Sequence, residues 1–319
     1  MPLTVAVQMD PLEGINIAGD STFALMVSAQ ARGHRLFHYT ADRLNYSAGR
    51  VWARANPVTV EPVQGAHFRF GKAVGLDLGE DADVVLMRQD PPFDLGYITA
   101  THLLERIADR TLVVNDPASV RNAPEKLWVL DYARFMPPTL ITRELDEARA
   151  FLREHGEIVV KPLHGNGGKA IFHVRADGEN LSALMEVFNV QYREPHMVQA
   201  FLPAVAKGDK RIVLVDGEVA GAINRMPGAG EIRSNLAVGG SAEKTELTAR
   251  EREICDALAP ELKRRGLLFV GIDVIGGEWL TEINVTSPTG IVAIERFDGT
   301  DVAGMIWDAI ERGVAERRG

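Results

Sequence analysis

The chain has 319 residues, 46% of them apolar, and its 35 Lys and Arg residues against 44 Asp and Glu give a formal charge of −9. Because a single hydrophobic core rarely grows beyond about 250 to 300 residues, this length predicts two or three structural units in a globular chain. The acidic balance argues against nucleic acids and anionic membranes as partners. With no apolar run of about 18 residues and no signal-peptide pattern, the sequence predicts a cytoplasmic location.

The first part of the chain alternates between strand and helix patterns. An apolar, β-prone segment at 3–9 precedes a helix that Asp20 or Ser21 caps and Gly33 ends. Three more strands are predicted at 35–39, 83–88 and 111–115, and a helix at 98–108. This alternation predicts a parallel α/β domain over about the first 120 residues.

The pattern changes after residue 122, where we place a domain boundary. Helices are predicted at 123–132 and 146–155, with Pro137 and Pro138 between them. Beyond them, short strands pair as three antiparallel hairpins: 157–161 with 169–174, 211–215 with 218–224, and 268–275 with 278–285. The expected fold is therefore an N-terminal parallel α/β domain followed by an α+β domain with antiparallel sheets.

A helix between the last two hairpins is expected to be structural. Thr248 and Glu251 form a capping box at its start, and its apolar stripe contains Ile254, Leu258 and Leu262. Cys255, the only cysteine, cannot form an internal disulfide. It is predicted to be a small packed residue rather than a nucleophile, since nothing marks a partner base.

The last hairpin carries a candidate metal site. Asp273 stands in an otherwise apolar strand, where an unpaired charge is costly. If Gly276 and Gly277 form a two-residue turn, Asp273 faces Leu280 and shares a face with Glu282, its diagonal neighbour, and with Asn284. These oxygen donors suit magnesium, which completes its shell with phosphate oxygens and water. A set of solvated strand acids is the alternative.

A glycine loop from His164 to Lys169 joins two predicted strands. Its glycines allow backbone N–H groups to approach phosphate oxygens, and Lys161 at the end of the first strand can add a positive charge. A strand rather than a helix follows the loop, which excludes a dinucleotide-binding fingerprint, and the Walker spacing is missing. An ordinary Gly-rich hairpin is the alternative.

The segment from Arg225 to Gly240 is rich in glycine, contains Arg233 and has no amphipathic period. These properties are typical of a mobile lid over a site. Arginine forks suit carboxylate or phosphate, and plain solvated arginines are the alternative.

Six stretches are prominent when the chain is compared with known families: Met9-Asp-Pro11, Arg88-Gln-Asp-Pro-Pro-Phe-Asp94, Gly165-Asn-Gly-Gly168, Gly208-Asp-Lys-Arg211, Phe269-Val-Gly-Ile-Asp273 and Thr281-Glu-Ile-Asn-Val-Thr-Ser-Pro-Thr289. Together they resemble the prokaryotic glutathione synthetase family of the ATP-grasp superfamily. The metal set and glycine loop are shared by the wider superfamily, whereas Asp-Pro-Pro-Phe-Asp and the last stretch are specific to the synthetases. The resemblance spans nearly the whole chain.

This resemblance implies a pre-ATP-grasp domain at 1–122 and an ATP-grasp domain at 123–319. The latter would comprise a lid subdomain at about 123–200 and a catalytic part at about 201–319. The implied reaction joins γ-glutamylcysteine to glycine with ATP, through an acyl phosphate, and releases glutathione, ADP and phosphate. A homotetramer or homodimer is implied as the assembly.

The resemblance also implies roles for individual residues. Two magnesium ions, with manganese as an alternative, would be held by Asp273, Glu282 and Asn284. ATP would be bound by Lys126, Lys161, Gly165, Gly167, Gly168, Gln199, Ala200, Phe201 and Leu202. The substrate or the developing phosphate would be held by Arg211, Arg225 and Arg233, and the dipeptide by Ser287 and Thr289.

The sequence departs from the family pattern at three places. Gln89 stands where a lysine is expected, Gly290 where a cysteine is usual, and the lid reads Gly-Ala-Gly-Glu-Ile-Arg-Ser at 228–234. Two other functions are compatible with the same fold. One is a D-alanine ligase-like or glutamate-adding enzyme, and the other is a nucleotide sensor without ligase turnover.

Overall fold

A computed structural model describes residues 1–228, 231, 233–234 and 240–319. Its helices are α1 (Ser21–Ala31), α2 (Leu95–Glu105), α3 (Pro117–Arg121), α4 (Glu125–Trp128), α5 (Leu145–His155), α6 (Leu181–Gln191), α7 (Ala249–Arg264), α8 (Ile291–Asp298) and α9 (Val302–Arg318). Its strands are β1 (Thr4–Gln8), β2 (Arg35–Tyr39), β3 (Leu44–Ser47), β4 (Arg50–Val60), β5 (Phe68–Phe70), β6 (Val74–Asp77), β7 (Val84–Met87), β8 (Leu112–Val114), β9 (Thr139–Thr142), β10 (Ile158–Pro162), β11 (Phe172–Val174), β12 (His196–Ala200), β13 (Asp209–Val215), β14 (Glu218–Met226), β15 (Ser241–Lys244), β16 (Phe269–Ile275) and β17 (Trp279–Asn284).

The first sheet has the order β3-β4-β2-β1-β7-β8, with β5 and β6 also pairing with β4. Strands β2, β1, β7 and β8 are parallel, which confirms the predicted α/β pattern. Strands β3 to β6 add an antiparallel extension that the sequence did not predict. Within β4, buried and more exposed residues largely alternate, as expected for a strand with one face on the core.

Two antiparallel sheets follow, in the orders β11-β10-β12-β9 and β15-β14-β13-β16-β17. The three predicted hairpins are confirmed as β10 with β11, β13 with β14, and β16 with β17. Helices α5 and α6 contribute to a small separate core with the four-stranded sheet. The four-stranded sheet therefore forms a compact unit beside the larger one.

The helix predicted at 123–132 is wrong over its second half. Helix α4 ends at Trp128, a 3-10 segment continues to Phe135, and Tyr132 within it has non-helical dihedral angles (φ −111°, ψ 34°). Lys126 and Trp128 are both buried, although they are only two residues apart. Residues i and i+2 do not share a helix face, so tertiary contacts rather than a helical stripe fix this segment.

Helix α9 returns to the beginning of the chain and packs on α1. Trp307 is fully buried, and its indole nitrogen Nε1 donates to the carbonyl oxygen of Leu25 at 2.8 Å. The predicted capping box of α7 is confirmed, and Cys255 is buried, with its thiol pKa raised to about 12 by burial. In the part of the chain described, no helix combines the length and apolarity needed to cross a bilayer.

Candidate active site

Two adjoining clefts contain the residues that the sequence singled out. The first, called here the inter-sheet cleft, lies between the four-stranded and five-stranded sheets and has a volume of about 900 Å³ including its opening to solvent. The second, called the loop cleft, has a volume of about 850 Å³ including its opening to solvent, and the segment 286–290 after β17 lines it. Asn166, Gly167 and Glu282 line both clefts. Molecules bound in the two clefts can therefore meet at Glu282.

Two buried lysines lie in the inter-sheet cleft. The Nζ atoms of Lys126, on α4, and Lys161, on β10, lie 3.3 Å and 3.9 Å from the same oxygen of Glu282, Oε1. Burial lowers the pKa of Lys161 to about 8, and Glu282 only partly opposes this effect. Two cations beside one carboxylate leave excess positive charge, which favours an anionic ligand.

The glycine loop lies against the same lysines. Nζ of Lys126 donates to the carbonyl oxygen of Gly165 at 2.6 Å, which ties α4 to the loop. A Cβ atom at position 165 would lie 2.5 Å from Cγ of Pro162, so the close return of the chain requires glycine there. Gly165, Gly167 and Gly168 all line the inter-sheet cleft. The loop is thus positioned to cover a ligand in that cleft.

The predicted linker Gln199, Ala200, Phe201 and Leu202 also lines the inter-sheet cleft. Nε2 of Gln199 donates to Oγ1 of Thr139 at 2.9 Å, which fixes the side chain across β12 and β9. The ring of Phe201 stacks on His173 with centroids 3.9 Å apart. This wall offers apolar side chains and backbone groups of the kind that line small-molecule sites.

The predicted metal residues are brought together, although the predicted register of their hairpin is wrong. Ile275 pairs with Trp279, so three residues rather than two form the turn, and an irregularity after Asp273 places it directly opposite Glu282. This irregularity is a β-bulge, in which Thr281 is the extra residue of β17. The bulge returns Asp273 and Glu282 to the same face of the sheet. Nδ2 of Asn284 lies 3.3 Å from Oδ2 of Asp273.

Asp273 is neutralised by two arginines. Nε and Nη2 of Arg211 donate to its two oxygens at 2.6 and 3.1 Å, and Nη2 of Arg225 lies 3.0 Å from Oδ2. Burial alone would raise the pKa of Asp273, but the two guanidinium groups hold it below its ordinary value. Asp273 is therefore ionised at neutral pH and available as a hard oxygen ligand.

Arg225 also bonds Asp209, through Nη2 and Oδ2 at 2.6 Å. Two buried atoms of this pair, Nε of Arg225 and Oδ1 of Asp209, have no hydrogen-bond partner among the described residues. Burying polar atoms without partners costs free energy, so a polar ligand that forms hydrogen bonds with these two atoms would be stabilised here.

The donor set fits a magnesium-like cation. Within the described residues, no three His, Cys, Asp or Glu side chains form a ready-made metal cluster. Asp273 and Glu282 supply two carboxylates and Asn284 an amide oxygen, and phosphate oxygens and water would complete the coordination. This incomplete protein shell suits a cation that arrives with a phosphate ligand.

Ser287 and Thr289 both line the loop cleft, together with Arg211 and Arg225. Nη1 of Arg211 donates to the carbonyl oxygen of Thr289 at 3.2 Å. Two guanidinium groups and two hydroxyl side chains around one cavity suit a ligand with carboxylate groups.

The third predicted arginine, Arg233, does not lie in the loop cleft with Arg211 and Arg225. It lines the inter-sheet cleft, and its guanidinium group donates to both oxygens of Glu231 at 2.9 Å. The neighbouring hydroxyl of Ser234 donates to Oδ2 of Asp209 at 2.9 Å. Of the segment 225–240 predicted as a lid, Arg225 and Met226 instead end strand β14, and residues 229–230, 232 and 235–239 lie outside the described residues.

Sequence reasoning missed three acidic residues at these clefts. Asp90 and Glu125 line the loop cleft, and Asp209 lines the inter-sheet cleft. Asp209 was detectable, because it is two residues before Arg211 on one strand and so shares its face. Glu125 accepts a hydrogen bond from Oγ1 of Thr286 at 2.8 Å, a contact between residues 161 positions apart that no local pattern indicates.

Glu125 is half-buried at the wall of the loop cleft. Burial raises its pKa, the Glu282 carboxylate adds to this effect, and Lys126 and the Thr286 hydroxyl oppose it. In the described part of the chain, no Lys, Arg or His nitrogen lies within 4.0 Å of its carboxylate. The loop cleft therefore contains a carboxyl group that a bound cationic group would stabilise.

Comparison with known proteins places this chain in a family. Residues 3–121 match the family model of the prokaryotic glutathione synthetase N-terminal domain, and residues 125–299 match that of its ATP-grasp domain. The chain is 56% identical over 311 residues to a glutathione synthetase of Mesorhizobium japonicum and 58% identical over 311 residues to one of Rhodopseudomonas palustris. Each alignment covers 98% of this chain and 99% of the relative.

Solved structures show the same fold at low sequence identity. The D-cycloserine synthetase DcsG superimposes with a TM-score of 0.69 at 16% identity, covering 97% of this chain and 99% of that one. The ATP-grasp ligase PsnB, complexed with a minimal precursor, Mg and ADP, gives a TM-score of 0.63 at 19% identity, with 98% of each chain covered. The chain belongs to the prokaryotic glutathione synthetase family and is an ATP-dependent ligase with an ATP-grasp fold.

Proposed function

We propose that the chain joins γ-glutamylcysteine to glycine in two steps with ATP. A carboxylate oxygen of the dipeptide's cysteinyl group bonds to the γ-phosphorus, and the bond from that phosphorus to ADP breaks. The amine nitrogen of glycine then bonds to the acyl carbon, phosphate leaves, and the amine releases a proton. The observation that carries this proposal is that the two clefts meet at Glu282.

The inter-sheet cleft is the proposed nucleotide site. Lys126 and Lys161 would bind the phosphates, the glycine loop would cover them through Gly165, Gly167 and Gly168, and Gln199 to Leu202 would contact the adenine. The buried positive charge of the lysines and the lining of the cleft support this orientation. It directs the γ-phosphate towards Glu282 and the loop cleft.

The loop cleft is the proposed site of the two other substrates. Arg211 and Arg225 would hold the dipeptide carboxylate and the phosphate that develops on it, with Ser287 and Thr289 against the dipeptide. Such a transfer needs positioned reactants and charge neutralisation rather than a protein nucleophile. The buried Cys255 therefore needs no role in it.

Asp273, Glu282 and Asn284 are the proposed ligands of two magnesium ions, with manganese as an alternative. A bound cation would neutralise phosphate charge during the transfer. Occupation of Asp273 by a cation would compete with Arg211 and Arg225, which now hold that carboxylate. The arginines released in this way would be available to the anionic substrate.

The remaining features of the proposal are the domain division at 122/123, a lid at 226–240 with Arg233, a cytoplasmic location and a homotetramer or homodimer. Sedimentation of the purified chain measures the assembly directly.

ADP release measured across acid and amine pairs tests the function. We expect turnover with γ-glutamylcysteine and glycine, and glutathione as the product by mass spectrometry. Turnover confined to other pairs would instead indicate a D-alanine ligase-like or glutamate-adding enzyme. Nucleotide binding without ADP release for any pair would contradict a ligase and favour a sensor.

A further inference from the structure

Side chains from distant parts of the chain hold the loop 286–289, which carries the proposed dipeptide residues. Among the described residues, no backbone hydrogen bond outside helices and strands involves this loop. Instead, Thr286 donates to Glu125, Ser287 donates to the carbonyl oxygen of Arg88, and the carbonyl oxygens of Pro288 and Thr289 accept from Arg88 and Arg211. The conformation of the loop therefore depends on these contacts.

Arg88 makes two of the contacts and comes from the N-terminal part of the chain, just after β7. Its Nη2 donates to the carbonyl oxygen of Pro288 at 2.8 Å, and its own carbonyl oxygen accepts from Oγ of Ser287 at 3.3 Å. Its Nε donates to Oγ1 of Thr22 on α1 at 3.0 Å. Its guanidinium carbon lies 4.9 Å from the ring centroid of Phe269, at the start of β16.

The charge of Arg88 is buried without a direct ion pair. Only 4% of the residue is exposed, no carboxylate of the described residues lies within 4.0 Å, and Nη1 has no hydrogen-bond partner among them. A buried arginine without a carboxylate partner is a costly way to hold a loop. Lysine cannot reproduce it, because its single ammonium group cannot contact Thr22 and Pro288 in the same fork geometry.

We propose that Arg88 is a positioning residue for the acid substrate. Its hydrogen bonds to Ser287 and Pro288 fix the conformation of the loop 286–289, which binds the dipeptide. This inference deepens the proposed function and rests on it. Arg88 lines neither cleft, so it acts through the loop rather than by touching a substrate. We therefore expect nucleotide binding not to depend on Arg88, because no described residue before position 126 lines the inter-sheet cleft.

Steady-state kinetics and calorimetry of R88K and R88Q test the proposal. We expect the KM for γ-glutamylcysteine to rise at least about tenfold in both variants, whereas the KM for ATP and the Kd for ADP stay within about threefold of wild type. R32Q is the matched control. Arg32 also connects the N-terminal part to the C-terminal part, through Gly304 and Asp308 on α9, far from the loop along the chain.

R32Q is expected to leave both KM values unchanged. T22V, which removes only the acceptor of Nε, gives a second measurement if the Arg88 variants do not fold, and we expect its dipeptide KM to rise about threefold. Arg88 and Thr22 variants with a wild-type dipeptide KM, or with equal rises for ATP and dipeptide, overturn the inference alone. A wild-type chain that binds ADP but neither dipeptide nor glutathione overturns the proposed function and this inference together.

Discussion

The two clefts differ in where their residues come from. The inter-sheet cleft is built from one stretch of the chain between Lys126 and Glu282, mostly on strands and the turns beside them. The loop cleft adds Asp90 and Pro91 from the N-terminal part to the irregular loop after β17. The proposed nucleotide end of the site thus uses only residues at position 126 or later, whereas the proposed acid end also needs residues from the N-terminal part of the chain. Substitutions should therefore separate the two.

Glu282 belongs to both clefts, and E282Q should have the largest effect. We expect turnover to fall about 100-fold or more, because the amide cannot neutralise Lys126 and Lys161 or bind a cation as a carboxylate does. ADP release measures this, and a thermal melt checks that the fold is retained. E278Q, in the exposed turn of the same hairpin, is the control. Turnover of E282Q within threefold of wild type would contradict the shared role.

E125Q should affect only the loop cleft. A hydrogen bond to a charged group is worth about 1.5–3 kcal/mol, so we expect a loss of about 10- to 100-fold in kcat/KM for glycine or for the dipeptide. The Kd for ADP should stay near that of wild type. E147Q, in the exposed first turn of α5, is the matched control. A large change in ADP affinity would place Glu125 functionally with the inter-sheet cleft.

The inter-sheet cleft should show a pH dependence of its own. With a pKa of about 8, Lys161 is mostly charged at pH 7 and mostly neutral at pH 9. Phosphate binding favours the charged form, so metal-free ADP should bind about three- to tenfold more weakly at pH 9 than at pH 7. K161R retains its charge throughout and should remove most of this change. An equal change in ADP affinity between pH 7 and pH 9 for wild type and K161R would show that a group other than Lys161 titrates.

The lowered pKa of Lys161 also affects stability: raising the pH weakens ADP binding but stabilises the fold. The folded-state pKa of Lys161 is below its ordinary value of 10.5, so the unfolded chain binds more protons between about pH 8 and 10.5. The contribution of this residue to the free energy of unfolding therefore rises with pH across that window. K161M should lack this contribution in urea unfolding measured at several pH values.

The smallest effect is expected from Gly290, at the edge of the loop cleft. In the backbone conformation of this chain, with φ +118°, a side chain at position 290 is disfavoured despite the cysteine that is usual there in the family, so G290A should cost about 1–2 kcal/mol of stability. It should also raise the dipeptide KM about two- to fivefold, because Thr289 on Arg211 would shift. G299A, at the other end of α8 with φ +71°, is the control. It should lose stability without a change in KM.

The inter-sheet cleft was largely predictable because its residues follow strand alternation and short turns. Asp273, Glu282 and Asn284 share a face because alternation places them there, even though the turn and the irregularity at Thr281 were not predicted. Two small register errors cancelled, since a longer turn and one inserted residue together preserve the face.

The loop cleft was less predictable because its contacts join residues far apart in the chain. Nothing near Glu125 indicates Thr286, and nothing near Arg88 indicates Pro288, 200 positions later. The antiparallel strands β3 to β6 were missed for a related reason. Strand β4 alternates in burial because one of its faces packs on the core, and its partners β2, β3, β5 and β6 come from separate segments of the chain. Tertiary structure therefore decides both the extension and the loop cleft.

The contact of Trp307 with Leu25 also has a consequence for biosynthesis. These two residues are 282 positions apart, yet both are fully buried in one core. A ribosome that has made β1, α1 and β2 has therefore not yet made the residues that cover α1. The apolar surface of α1 therefore stays exposed until α9 has been synthesised. We expect chaperones and proteases to bind the nascent chain during that time. Non-local closure of this kind also predicts slow refolding of the purified chain after dilution from denaturant.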